Sequence, residues 1–378
     1  MAAPPNPYRM PRHFPALLSL LSLALLPLPA CDGSGSASSG AIAPGLEAAK
    51  PRAIGDVNRV VVVADPDVLA TDVRDSIVYH YEQLYPLMPQ PEPMYDVRYM
   101  QVEDLLANQA RRELRSYLIL ADLAEPNSPT TRFVERMLGE EKLRAAREDY
   151  TRGTTVRSDQ WANGQVVIYL YAEGPDRLAD LVAQTYNSAS QRIAASDAEV
   201  LNANIYQAGR NRANVDSLER LVGLRLDIPQ DYLVAKAEEG FMWFRRDLRD
   251  VIQNIFIGRV PYTGPEQLTR DSAVALRNRI GLDAIQTNTA GSVMSTNDRD
   301  LPVLTTQPTL GGVESLAAKG VWEMSDDDMG GPFFTYLIPD EAAGQLYVVD
   351  AWVYAPGSKK GKRNYMQQLE KIVETAEL

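Results

Sequence analysis

The stretch FMWFRRDLRDVIQNIFIGRVPY, residues 241–262, decides the C-terminal half of the fold. Its two runs of aromatic and β-branched residues are separated only by the charged connection DLRD, too short to hold a crossover helix. Strands joined this tightly run antiparallel. DYLVAKAEE (231–239) meets the first run through Gly240 and adds a third strand. Thr263-Gly264-Pro265-Glu266 has the spacing of a capping box and predicts a helix reaching Ile280. Beyond a loop rich in Thr, Asn and Asp (286–308) the order repeats with GVWEM, PFFTYLI and QLYVVDAWVYA. A last helix follows, with Met366, Leu369, Ile372, Val373 and Ala376 on its buried stripe. Residues 226–378 therefore read as an α+β domain, an antiparallel sheet with helices on one face.

Upstream the rhythm changes. VNRVVVVAD (57–65) is a continuous apolar run of the kind that forms a strand buried on both faces. A helix over 67–84, a proline-punctuated turn YPLMPQPEP and a strand in MYDVRYM follow. Further strands are expected at SYLILADL (116–123) and QVVIYLYA (165–172), with a helix from Pro129 to Asp149. From Asp176 to Leu221 the pattern is helical, as one long helix or two broken near Ala208–Ala213. Strands alternating with helices make residues 53–225 an α/β domain, so the whole chain is of mixed α/β and α+β class.

The first residues read as an address. Arg9, Arg12 and His13 precede an uncharged segment, residues 14–30, whose apolar core from Ala16 to Leu28 is short for a bilayer core of about 30 Å. That is the pattern of a secretory signal over residues 1–30, starting from Met1 or Met10. Leu28 and Ala30 before Cys31 resemble the lipobox of bacterial lipoproteins, with Pro29 departing from its usual residue. Cys31, the single cysteine of the chain, is then the lipidated residue that ties the protein to a membrane. Residues 31–52, dominated by Ser, Gly and Ala up to Gly45, form a solvated tether. The expected location is the bacterial cell envelope, lipid-anchored and facing the periplasm.

Composition narrows the chemistry. The chain carries a net charge of −12, and loss of Arg9 and Arg12 with the signal takes it to −14, a surface that repels nucleic acid. With Cys31 lipidated, no cysteine nucleophile and no disulfide remain, and His80 is the one histidine left. His80 falls beside the helical stripe Val73, Ile77 and Leu84, which fits a structural histidine better than a catalytic one. No Walker loop, GxSxG elbow, HExxH or GxGxxG after a strand occurs, so no cofactor and no metal are expected.

Three segments stand out as candidates for binding. In FMWFRRD, alternation puts Phe241, Trp243 and Arg245 on one face and Met242, Phe244 and Arg246 on the other. This describes either a central strand emerging into solvent or an aromatic-floored site with an arginine for a carboxylate or phosphate. In MGGPFFTY, Gly330 and Gly331 predict a turn with positive φ before Phe333, or a ligand lying against glycine amides. In SKKGKRNY, Lys359, Lys360, Lys362 and Arg363 crowd a helix start, where negative charge is favoured by about 0.3–1 kcal/mol. An anionic ligand or the acids Asp326-Asp327-Asp328 must compensate.

LMPQPEPMYDV (87–97), DQWANGQVVIYL (159–170), FMWFRRD (241–247), DDMGGPFFTY (327–336) and DAWVYAPGSKKGKRNYMQQLE (350–370) together resemble an uncharacterised lipoprotein family of Bacteroidetes-type bacteria. The resemblance runs from Arg59 to the C-terminus, and the family's lipid anchor falls on Cys31. It implies an envelope lipoprotein whose domain has no known function and supplies no catalytic residues. IPQDYLV (228–234), followed by an aromatic strand, is similar to the photosystem-P/Mog1-type fold, a likeness of fold alone. The expected function is non-catalytic binding of an envelope partner or small anionic ligand at a surface shared by Trp243, Arg245, Arg246, Gly330, Gly331, Phe333, Lys359, Lys362 and Arg363. The alternative is a periplasmic hydrolase with two carboxylates set apart in a cleft, one with a raised pKa. A purely structural role predicts neither cleft nor basic pocket.

Overall fold

A computed structural model describes residues 50–285, 289, 291–356 and 361–378. Cys31, residues 1–30, where a signal is expected, and Lys359 lie outside the described residues.

The N-terminal part follows from runs that are apolar on both faces. Strands β1 (Arg59–Val63), β2 (Asp96–Met100), β3 (Ser116–Asp122), β4 (Thr154–Ser158) and β5 (Val166–Ala172) form one sheet in the order β2-β1-β3-β5-β4. All pairs are parallel except β4 with β5. The connecting helices are α1 (Pro66–Leu69), α2 (Asp72–Tyr81), α3 (Val102–Ala107), α4 (Gln109–Arg112), α5 (Pro129–Leu138), α6 (Glu140–Glu148) and α7 (Pro175–Ile205). Because parallel strands need crossovers, helices cover both faces. Val60 and Val62 pack with α2 and α7, whereas Val61 and Val63 pack with α3, α5 and α6. The single helix expected over 129–149 is two, broken at Gly139, whose φ of 88° ends α5.

Helix α7 runs for 31 residues, and its stripe serves two cores. Leu178, Leu181, Val182, Ala189 and Ile193 lie over the five-stranded sheet, while Leu201 and Ile205 enter the core of the C-terminal part.

That part begins with α8 (Arg212–Val222), followed by β6 (Leu233–Glu238), β7 (Phe241–Asp247), β8 (Ile252–Pro261), α9 (Arg270–Ala284), β9 (Met294–Thr296), β10 (Leu304–Thr306), β11 (Thr309–Leu310), β12 (Val313–Glu314), β13 (Leu316–Met324), β14 (Gly330–Asp340), β15 (Gln345–Tyr354) and α10 (Arg363–Val373). An eight-stranded antiparallel sheet has the order β10-β13-β14-β15-β8-β7-β6, with β9 also on β13, and β11 and β12 form a separate pair. The class is mixed α+β, as read from the sequence, with one detail corrected. Helices lie on both faces: α8 and α10 cover Phe334, Val349, Ala351 and Ile255, and α9 covers Leu337, Leu346 and Val348. The central strands β14 and β15 are buried along nearly their whole length, so both of their faces need a cover. The helix expected from Thr263 also starts later. Thr269, whose hydroxyl accepts from the Ser272 amide, caps α9, and Pro265–Gln267 forms only a 3₁₀ turn.

Candidate functional site

The residues nominated in the sequence do not share one surface. Trp243, Arg245 and Phe333 face α9, whereas Arg246, Lys362 and Arg363 lie on the side of α10. Arg245 pairs with Asp247 at 2.6 Å. Arg246 pairs with Asp231 at 2.7 Å and donates to Gln253 at 3.1 Å, fastening the end of β7. Gly330 and Gly331 make no positive-φ turn, which corrects the expectation. They open β14 opposite Glu323 and Trp322. A Cβ on Gly331 would lie 2.1 Å from the Val353 carbonyl oxygen, so glycine is what allows the Trp322 indole to donate to that oxygen at 3.3 Å. Phe333 is buried, with the Arg277 guanidinium 4.0 Å above its ring.

The cations at the start of α10 have a partner that neither expectation named. Glu92, from the proline-rich turn of the N-terminal part, accepts from the backbone N–H of Lys362 at 2.7 Å and of Arg363 at 2.9 Å. A carboxylate on the first amides of a helix satisfies orphan donors and the helix dipole together. Asp326 and Asp327 instead accept from Ser325 and Thr289. Gly361 makes room, because a Cβ there would lie 2.2 Å from Glu92 Oε2. The buried Arg363 side chain donates to the Pro93 and Met94 carbonyls and pairs with Asp96 at 2.9 Å, and Lys362 Nζ donates to Gln90 at 2.6 Å. Beside them Asn58, at φ 59°, donates through its side chain to Asn364 at 2.9 Å and Gln367 at 2.6 Å. These cations hold the two parts of the chain together.

The opening suited to a ligand lies on the other face, between α9 and β6–β8. It encloses about 360 Å³. Phe241 and Phe256 stack at 5.4 Å and 18° to form its floor, and Leu276 and Ile280 of α9 form a wall. Gly258 keeps the hollow open, since a Cβ there would come within 2.9 Å of the Phe256 ring. Lys236, Arg259 and Arg279 at the rim pair with Glu238, Glu239 and Asp283 at 3.2, 2.6 and 3.5 Å. With each cation answered by an acid, the rim gives no excess positive charge and the floor is apolar. A groove of this kind takes an apolar body. Trp243 lies next to it, opposite Lys236 and 5.9 Å from Trp352. The alternation of FMWFRRD pointed to this face; Gly258 carried no signal that could be told from any strand glycine.

Two carboxylates have raised pKa values, and they are far apart in the fold. Burial pushes Asp197 of α7 up to about 6, against the Asn58 amide it accepts from at 2.7 Å and Arg115 at 3.6 Å. Burial also raises Asp350 of β15, opposed by Arg277 and by the Thr335 hydroxyl, which donates to it at 2.6 Å. Each faces an arginine rather than a second acid, and neither borders the groove's mouth. Paired-carboxylate hydrolysis requires two acids about 5–10 Å apart across a cleft. Among the described residues no group of three or more His, Cys, Asp or Glu is placed to hold a metal ion.

No curated protein matches the chain. Among solved structures it is similar to the Ran-binding protein Mog1p of Saccharomyces cerevisiae, at 9% identity and TM-score 0.28 over 40% of this chain and 88% of that one. LpqN, involved in cell envelope biogenesis of Mycobacterium tuberculosis, is 15% identical over 41% of this chain and 82% of its own, with TM-score 0.25. A STAR-related lipid transfer protein from Xanthomonas axonopodis is 17% identical over 39% and 92%, with TM-score 0.21. Likenesses this distant say nothing about function. Residues 53–206 match the family model Domain of unknown function (DUF8532) and residues 211–375 match Domain of unknown function (DUF4837), so the chain joins two domains of unknown function.

Proposed function

We propose that the chain is a lipid-anchored lipoprotein of the bacterial envelope, of a Bacteroidetes-type family, that binds a ligand with an apolar body in the groove beside α9. The observation that carries the binding is the groove itself: a stacked Phe241–Phe256 floor kept open by Gly258. The expected anionic ligand gives way to an apolar one because the arginines and lysines nominated for an anion all have protein partners where they are described. The anchor rests on Leu28, Ala30 and Cys31 and on the uncharged segment before them. No helix among the described residues is long and apolar enough to cross a membrane.

Binding is tested with the neutral dye N-phenyl-1-naphthylamine. A saturable, single-site fluorescence rise that Gly258→Leu abolishes supports the reading, and an unsaturable rise or one unaffected by Gly258→Leu sinks it. Anchoring is tested by feeding cells an alkyne-tagged fatty acid: label on the chain that disappears in Cys31→Ala is the expected result.

A further inference from the structure

The size of the groove and the charges on its rim narrow what can occupy it. Its 360 Å³ hold about twelve water-sized groups of about 30 Å³ each, room for one alkyl chain of about twelve carbons. A molecule with two such chains needs twice that space. The apolar surface ends at the mouth. On α9, Leu276 and Ile280 line the wall, and Arg279 and Asp283, an exposed i,i+4 pair at 3.5 Å, border the same groove. On the opposite wall, Lys236 and Glu238 of β6 pair across the ladder with Trp243 and Phe241 and so share their face, and Lys236 Nζ lies 5.2 Å from the Phe241 ring. Glu239, in the turn after β6, and Arg259 of β8 complete the rim.

Whatever part of a ligand protrudes from the apolar hollow therefore meets three cations and three acids, and each wall carries both signs. A head group with a single positive charge is opposed by Lys236, Arg259 and Arg279. One with a single negative charge is opposed by Glu238, Glu239 and Asp283, and by the net charge of −12 on the whole chain. An uncharged head leaves the rim pairs as they are and gains nothing from them. A head with both signs can turn its cation to an acid on one wall and its anion to a cation on the other, so that both charges are matched.

Resting on the groove being a ligand site, we infer that its ligand is a single-chain amphiphile with a zwitterionic head, the chain lying on the Phe241–Phe256 floor and the head between the Arg279–Asp283 and Lys236–Glu238 pairs. The rim is exposed, so it selects among heads by a modest factor and leaves most of the affinity to the chain.

The test displaces bound N-phenyl-1-naphthylamine from the full chain carrying Cys31→Ser. The probes share one lauroyl or dodecyl chain and are kept below their micelle concentrations: lysophosphatidylcholine (zwitterionic), lysophosphatidic acid (anionic), dodecyltrimethylammonium (cationic) and monolauroylglycerol (uncharged). The zwitterion should displace the dye at a concentration about fivefold below that of each other probe, a margin that shrinks as NaCl rises from about 50 to about 500 mM. In Arg279→Gln/Asp283→Asn, at two exposed positions, the margin over monolauroylglycerol should fall below about twofold while the dye binds as before. Equal displacement by the probes, or an unchanged margin in the double variant, overturns the zwitterionic head and leaves the groove standing. Dilauroylphosphatidylcholine displacing the dye as well as its single-chain counterpart overturns the single chain. Displacement by no probe while the dye still binds saturably overturns the amphiphile, and absence of saturable dye binding overturns the groove as well.

Discussion

Removing the carboxylate that caps the last helix measures how firmly the two parts of the chain are joined. In Glu92→Ala the backbone N–H groups of Lys362 and Arg363 lose the acceptors that lie at 2.7 and 2.9 Å. An orphaned buried donor costs about 1–3 kcal/mol, and loss of negative charge at a helix start adds about 0.3–1 kcal/mol. Glu92 is only half-buried, so water reaches the vacated amides and the lower end of each range applies. The expected loss is about 2–3 kcal/mol for Glu92→Ala. It is about 1 kcal/mol for Glu92→Gln, which keeps an acceptor but not the charge. Urea unfolding followed by far-ultraviolet circular dichroism reads both. A loss below about 0.5 kcal/mol in Glu92→Ala would refute the cap as a structural joint, since an ordinary surface change costs that much.

Asp197 makes stability depend on pH. Its folded pKa of about 6 lies above the ordinary value of about 3.9, so its contribution is full below pH ~4 and lost as pH rises through ~6, by about 2–3 kcal/mol. Asp197→Asn should flatten that slope in denaturation midpoints between pH 4 and 7, and an unchanged slope would place the titration elsewhere. Arg277→Met alone leaves Asp350 as a buried unpaired charge and should cost about 3–5 kcal/mol, most of which Arg277→Met/Asp350→Leu recovers. The check is a double-mutant cycle by urea unfolding, and additive losses would contradict the pairing. Gly331→Ala pushes a methyl group to 2.1 Å from the Val353 carbonyl oxygen and should cost about 3 kcal/mol, seen as a lowered thermal midpoint, whereas Gly330→Ala, whose methyl group would lie 2.8 Å from the Trp322 carbonyl oxygen, should cost less.

The long strands were legible because their signals are local, whereas β4, and β9 and β10 within the segment read as a loop over 286–308, were not. Continuous apolar runs mark β1, β3 and β5, and short polar connections mark the antiparallel meander of β6 to β8. The breaks at Gly139 and Thr269 were missed, since a helical pattern on either side of a glycine or a second threonine reads as continuous. The site was legible in one respect only: alternation in FMWFRRD put Phe241 and Trp243 on the face that carries the groove. What gathers around those residues is set by partners distant in sequence. Glu92 meets Lys362 across 270 positions, and a lysine-rich helix start cannot reveal which of the chain's 50 acids will reach it. Arg277 and Asp350 gave no signal at all, because a lone arginine on a helix and a lone aspartate in a strand are ordinary surface residues until both are covered.

The long helix α7 has a bearing on how such a chain can be inherited. At 31 residues it spans about 46 Å, and it ends just before the junction at 206–211 where one family model stops and the other starts. A gene cut at that junction would yield a first fragment with Leu201 and Ile205 bare, and a second with a matching hole in its core. The border visible in sequence is therefore not a border in cooperativity. Recombination that brought a new partner to either domain would have to carry the last turns of α7 with the second one, so a cut within α7 rather than after it is the one that leaves the second core whole.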